Sequence, residues 1–141
     1  MKIYLDIDET LIDNRLEKNE DGYMVYKPVI TKHLKEFLEH ILENHDVYWL
    51  TTHCNGDATT AVSYMAEVVP YDIIRLIMKI KPTKWNLCKS EAINMEEDFL
   101  WFEDAPSWND LDKLKKYNKM DSLVRVNLDE DPDVLGRYLK V

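Results

Sequence analysis

The chain opens on a short apolar run, residues 2–7, too brief for a helix and rich in Ile, Tyr and Leu, which predicts a buried strand. Residues 12–28 turn polar. Within them Glu20-Asp21-Gly22, followed by Tyr23, Val25 and Tyr26, predicts a loop or small hairpin. From Thr31, a candidate cap, to about Asn44, the positions Leu34, Phe37, Leu38, Ile41 and Leu42 recur at helical spacing. Residues 46–50, with Val47-Tyr48-Trp49-Leu50, predict a second strand that ends at Thr51. Asn55-Gly56-Asp57 predicts a turn and cap for a helix through about Val68, with Pro70 just past its end. Residues 73–80 are β-rich and predict a third strand. A helix is expected within 84–95, and a fourth strand over 98–102, ending at Glu103 and Asp104. A helix over 107–117, a fifth strand over 122–126 and a short terminal helix over 134–139 complete the reading.

Strands alternating with helices imply an α/β fold: a Rossmann-like parallel sheet flanked by helices on both faces. A length of 141 residues fits one domain spanning 1–141. Folds of this kind bind ligands at the carboxyl ends of their strands. Asp6 and Asp8 fall after the first strand, Thr51 after the second, Glu103 and Asp104 after the fourth. Two acids spaced i, i+2 where a strand ends can converge on one point. There they can hold a divalent cation, or divide nucleophile and proton-donor roles. A strand running into an acidic turn gives the same short pattern.

Composition narrows the classes. Hydrophobic residues are 45% and charged residues 32%, an ordinary globular balance. A formal net charge of -9 opposes extended non-specific nucleic-acid binding, though not a single phosphate held locally. The two cysteines, Cys54 and Cys88, form no Cys-x-x-Cys pair, which argues against structural zinc or a disulfide framework and fits a reducing cytoplasm. His53 beside Cys54 is a weak metal pair, because adjacent side chains seldom point at one ion. Asp6 comes too early for a signal-peptide apolar region, and no apolar run is long enough to span a bilayer.

Read in order, Asp6-Ile7-Asp8-Glu9-Thr10, a strand ending in Thr51, a lysine ahead of a strand, then Glu103-Asp104, the chain resembles the haloacid dehalogenase superfamily of phosphohydrolases. The resemblance covers about residues 4 to 110. It implies a Mg²⁺-dependent phosphatase with an aspartyl-phosphate intermediate. Asp6 would be the nucleophile and Asp8 the general acid and base. Thr51 would donate to a phosphoryl oxygen, and a lysine would offset phosphate charge. Asp6, Asp104 and the backbone carbonyl of Asp8 would hold Mg²⁺, with Glu103 supporting. The superfamily often has two aspartates in its last motif, and Glu103 stands at the first of them.

Lys89 is the preferred lysine because Lys89-Ser90-Glu91-Ala92-Ile93 resembles the superfamily's lysine opening the helix before the fourth strand. Lys84 and Lys81 are alternatives. Thr10, Thr52, Lys84 and Glu103 are candidate substrate contacts. Trp85, Trp101 and Trp108 are read as packing rather than base-stacking residues. The gaps between motifs leave no room for a large cap domain. The site is therefore expected to be open, closed at most by the 12–28 hairpin, the loop from His53 to Asp57, or a second subunit. Two other functions stay in view: a non-catalytic binder of a phosphorylated ligand, and a phosphatase of nucleic-acid ends. A receiver-type signalling domain fits less well, because its paired acids and phosphoacceptor follow a different strand order.

Overall fold

A computed structural model describes all residues, 1–141. Four strands form one parallel sheet: β1 (Lys2–Leu5), β4 (Asp46–Trp49), β5 (Phe99–Glu103) and β6 (Leu123–Arg125). Their order is β4-β1-β5-β6, which places β1 and β5 side by side at the centre. Leu5 pairs with Trp49 on one flank and with Phe102 on the other. Two further strands, β2 (Ile12–Lys18) and β3 (Met24–Ile30), make a separate antiparallel hairpin. The α-helices are α1 (Leu34–Asn44), α2 (Thr59–Ala66), α3 (Tyr71–Ile77) and α4 (Trp108–Lys116). This is a Rossmann-like α/β arrangement, with helices covering the sheet.

Alternation along the strands builds two apolar layers. Ile3, Leu5, Val47, Trp49 and Phe102 join Phe37, Leu38 and Ile41 of α1 and Ile73 and Ile77 of α3 in the larger cluster. Tyr4, Phe99 and Trp101 face the other way, against Ile93, Met95 and Leu114 of α4. No helix is long and apolar enough to cross a membrane.

Three expected elements differ. Residues 71–77 are helix α3, not a strand. Ile73, Ile77 and Ile80 are the buried positions, a helical spacing that the β-branched composition obscured. Strand-like contact begins only afterwards: the Lys81 amide donates to the Val47 carbonyl, and the Trp49 amide donates to the Lys81 carbonyl. Thr83 continues that contact through its side chain, whose hydroxyl donates to the Trp49 carbonyl. Within 84–95 there is one short 3₁₀ turn, Lys89–Ala92, in place of a helix. The terminal segment Val134–Tyr138 is likewise 3₁₀. Helix α1 begins after His33, at φ 67°, with no side-chain cap. Thr31 donates instead to the Thr10 carbonyl at 2.9 Å, tying the hairpin's return to the loop after β1.

The helical reading of 71–77 separates two neighbours. Ile77 is fully buried and Met78 is 67% exposed. Ile77→Ala is expected to cost about 2–5 kcal/mol in urea unfolding, and Met78→Ala less than about 0.5 kcal/mol. Comparable losses at both positions would contradict the helical face.

Candidate functional site

The carboxyl ends of β1 and β5 meet at the sheet's centre. The Asp6 amide donates to the Phe102 carbonyl at 3.1 Å, extending the β1–β5 ladder by one residue. That places the Asp6 side chain beside Glu103 and Asp104. One oxygen from each of these three acids lies within 4.8 Å of the others. Asp6 and Glu103 are buried, and Asp104 is half-buried.

Lys89 is the only lysine that reaches them. Its Nζ lies 2.6 Å from Glu103 Oε1 and 3.3 Å from Asp6 Oδ1. Lys81 pairs with Asp46 at 3.2 Å, and Lys84 is exposed. The turn carrying Lys89 is fastened to α4. Asp110, buried in the first turn of α4, accepts from the Ser90 amide at 3.0 Å and from the Ser107 amide at 3.1 Å. Lys113 donates to the Ser90 carbonyl at 3.0 Å. Burial opposes the Asp110 charge, yet the hydrogen bonds from Ser90 and Ser107 outweigh it and hold the carboxyl below its usual range. A Ser-x-x-Asp capping pattern at 107–110 is visible in the sequence, but the distant Ser90 partner is not.

Three carboxylates cluster at one ammonium that pairs with two of them, so with all three ionised two negative charges would be uncompensated. Burial, then the neighbouring Glu103 carboxylate, push the Asp6 carboxyl up to about 7, with Lys89 and the Ile7 amide opposing. Asp104 is also raised, first by burial and then by Asp6. Lys89 is held above its usual value: burial lowers it, but attraction to Asp6 and Glu103 prevails. This charge excess and the all-oxygen donor set fit a hard divalent cation such as Mg²⁺. Both oxygens of Glu103 are already engaged, by Lys89 and by the Ala105 amide at 3.2 Å. Asp6 and Asp104 are the freer ligands.

The Asp8 side chain turns away from this cluster. His53 Nε2 lies 2.9 Å from its Oδ2, Asn14 donates to Oδ1 at 3.1 Å, and the Tyr64 hydroxyl donates to Oδ1 as well. Burial disfavours the Asp8 charge, but these hydrogen bonds, led by Tyr64, win and hold its carboxyl below the usual range. Burial and the bond to Asp8 push the Tyr64 phenol up to about 12. The His53 and Tyr64 rings stack, with centroids 3.9 Å apart. The sequence singles out His53 only beside Cys54 and at the start of a loop that could close the site; neither its contact with Asp8 nor that of Tyr64 belongs to a short pattern.

Thr51 is buried at the end of β4, where its Oγ1 accepts from the His53 amide at 3.3 Å. Thr52 is exposed. Thr10 is fully buried, and its hydroxyl has no partner. Between Asp6 and Ile12 the chain turns tightly. The amides of Thr10, Leu11 and Ile12 converge on the Ile7 carbonyl, and Glu9 takes a left-handed φ of 60°. A non-glycine residue there carries backbone strain. Trp101 is buried and Trp85 half-buried. Trp108, at the start of α4, is 80% exposed. Cys54 points to the Thr83 carbonyl while His53 points to Asp8, so the two share no ion.

No family model matches this chain, and no curated protein or solved structure matches it either.

The raised Asp6 pKa links stability to pH. A folded-state value of about 7 against an ordinary 3.8 means that Asp6 stabilises the fold fully below about pH 4. That contribution is lost as pH rises through 7. In chelator, Asp6→Asn should melt several degrees above the wild type at pH 8, and the gap should shrink toward pH 5. Scanning fluorimetry at the two pH values checks this. A wild type as stable as Asp6→Asn at pH 8 would contradict the electrostatic description of the cluster.

Proposed function

We propose that the chain is a Mg²⁺-dependent phosphomonoester hydrolase of the haloacid dehalogenase type, working through an aspartyl-phosphate on Asp6. The observation that carries this reading is the Lys89 ammonium set between Asp6 and Glu103 at the carboxyl ends of two central strands. A nucleophilic carboxylate, a fixed cation and a second acid for metal binding are the parts that phosphoryl transfer requires. Asp6, Asp104 and the backbone carbonyl of Asp8 would hold the ion, with Glu103 supporting from the side. Mg²⁺, when bound, supplies the charge that lets a carboxylate approach an anionic phosphate.

In this reading an Asp6 oxygen attacks phosphorus, and the bond from phosphorus to the ester oxygen breaks. The departing oxygen takes a proton from Asp8. Water then attacks phosphorus and gives its proton to the Asp8 carboxylate. The bond to Asp6 breaks, and inorganic phosphate leaves. Lys89 offsets charge on the transferring group, and the Thr51 hydroxyl donates to one of its oxygens. The donors around Asp8 favour its carboxylate, the form needed in the second half. For the first half Asp8 must carry a proton. His53 is in direct contact with its carboxyl.

The test is hydrolysis of a generic aryl phosphate and an alkyl phosphate with Mg²⁺. Asp6→Asn should lower kcat by a factor on the order of 10³ or more in a protein that remains folded by circular dichroism. Asp8→Asn should slow the alkyl ester more than the aryl ester, because a poorer leaving group needs the proton more. Near-normal turnover in folded Asp6→Asn would remove the aspartyl-phosphate. Equal losses on both esters would remove Asp8 as general acid.

A further inference from the structure

The β2–β3 hairpin has two unlike faces. Its register pairs Asn14 with Pro28, Leu16 with Tyr26 and Lys18 with Met24 on one face. Asp13, Arg15, Glu17 and Lys27 lie on the other, with Val29 and the 40%-exposed Val25, and there Arg15 pairs with Asp13 at 3.2 Å and Lys27 with Glu17 at 3.9 Å. The charged face is thus satisfied within the hairpin. The apolar face is not: Leu16 is 53%, Met24 54% and Tyr26 73% exposed, and Pro28 is exposed as well. Apolar side chains gathered on one open face mark a contact surface.

Position along β2 identifies what that surface meets. Residues two apart point the same way. Ile12 is buried in the core, Asn14 donates to the Asp8 carboxylate, and Leu16 is the next residue on that face. The apolar face therefore begins at Asp8 and runs outward, with Leu16 about 7 Å further along the strand. Asp8 is also where the ester oxygen departs in the function proposed above, on which this inference rests. A group attached to that oxygen leaves the phosphate site along the hairpin. The net charge of -9 disfavours a long polyanion there, but a single phosphate on an apolar body meets no such opposition.

We propose that Leu16, Met24, Tyr26 and Pro28 form a binding wall for the non-phosphate part of the substrate. That part is a flat aromatic or extended apolar group joined to a single phosphate. The Leu16–Tyr26 pair is its centre, since an aromatic ring offers a large rigid contact at small entropic cost.

The probes are two non-hydrolysable phosphonates, 2-naphthylmethyl phosphonate and methylphosphonate, titrated calorimetrically into the full chain with Mg²⁺. The wild type should bind the naphthyl compound about tenfold or more tightly than the methyl one. The double variant Leu16→Ser/Tyr26→Ser should reduce that ratio to about threefold or less without changing methylphosphonate affinity. Arg15→Ser/Lys27→Ser, on the opposite face, should keep it. A wild type with no naphthyl preference, including one that binds neither compound, overturns the proposal. So does a preference that survives the Leu16/Tyr26 change. Sedimentation showing a wild-type dimer that the Leu16/Tyr26 variant dissolves would assign the face to a second copy and also overturn it. Turnover of phenyl phosphate separates the two claims. Turnover without naphthyl preference sinks the wall alone. Naphthyl preference lost in the double variant, with no ester hydrolysed, sinks the phosphatase reading alone.

Discussion

The site depends on one electrostatic imbalance: three carboxylates crowd around one lysine where two central strands end. Asp6 and Glu103 are buried at the carboxyl ends of adjacent central strands, so their charges are poorly hydrated. Lys89 offsets part of that charge. A buried ion pair is weak support for stability, because desolvation offsets much of its attraction. It is better support for a site, since perturbed acids in a cleft mark places where charge is meant to be met by a ligand. A cleft of about 230 Å³ lined by Glu9, Asp104, Asn127, Leu128 and Asp129 adjoins the cluster at Asp104.

The rest of the molecule holds these charges in place. Adjacent parallel strands fix Asp6 against Glu103 through the backbone ladder. Asp110 and Lys113 hold the Lys89 turn by its peptide groups, so a short 3₁₀ segment serves where a longer helix was expected. Asp8 leaves the acid cluster for a different set of partners drawn from the hairpin and from the segment around α2. Two carboxylates spaced i, i+2 thus acquire opposite environments. Asp6 is pressed toward its neutral form, and Asp8 is held as a carboxylate. For the proposed first step this is the reverse of what is needed, and a cation beside Asp6 would be required to restore its charge.

The alternation of strands and helices was legible in the sequence because apolar periodicity reports burial directly. So was the meeting of Asp6, Glu103 and Asp104, since strand ends in a parallel sheet share one edge. The α3 segment was misread because Ile73, Ile74 and Ile77 suit a strand by composition and a helix by spacing. Lys89 could be preferred but not separated from Lys81 and Lys84. Its place depends on Asp110 and Lys113, and no local pattern reveals those tertiary contacts. The contacts of His53 and Tyr64 with Asp8 were not legible for the same reason: Tyr64 lies 56 residues from Asp8, and only packing brings it back. The membership suggested by the motifs rests on their order along the chain and on the geometry of the cluster.

The most direct test of the charge imbalance is thermal unfolding with and without millimolar Mg²⁺, in the wild type and in Asp104→Ala. A cation bound only by the folded state raises the melting temperature by mass action. The wild type should therefore melt higher with Mg²⁺, and Asp104→Ala should respond clearly less. In chelator Asp104→Ala should melt no lower than the wild type, because it relieves repulsion among Asp6, Glu103 and Asp104. The absence of any Mg²⁺ shift, or an equal shift in both proteins, would mean that these acids do not form one cation site.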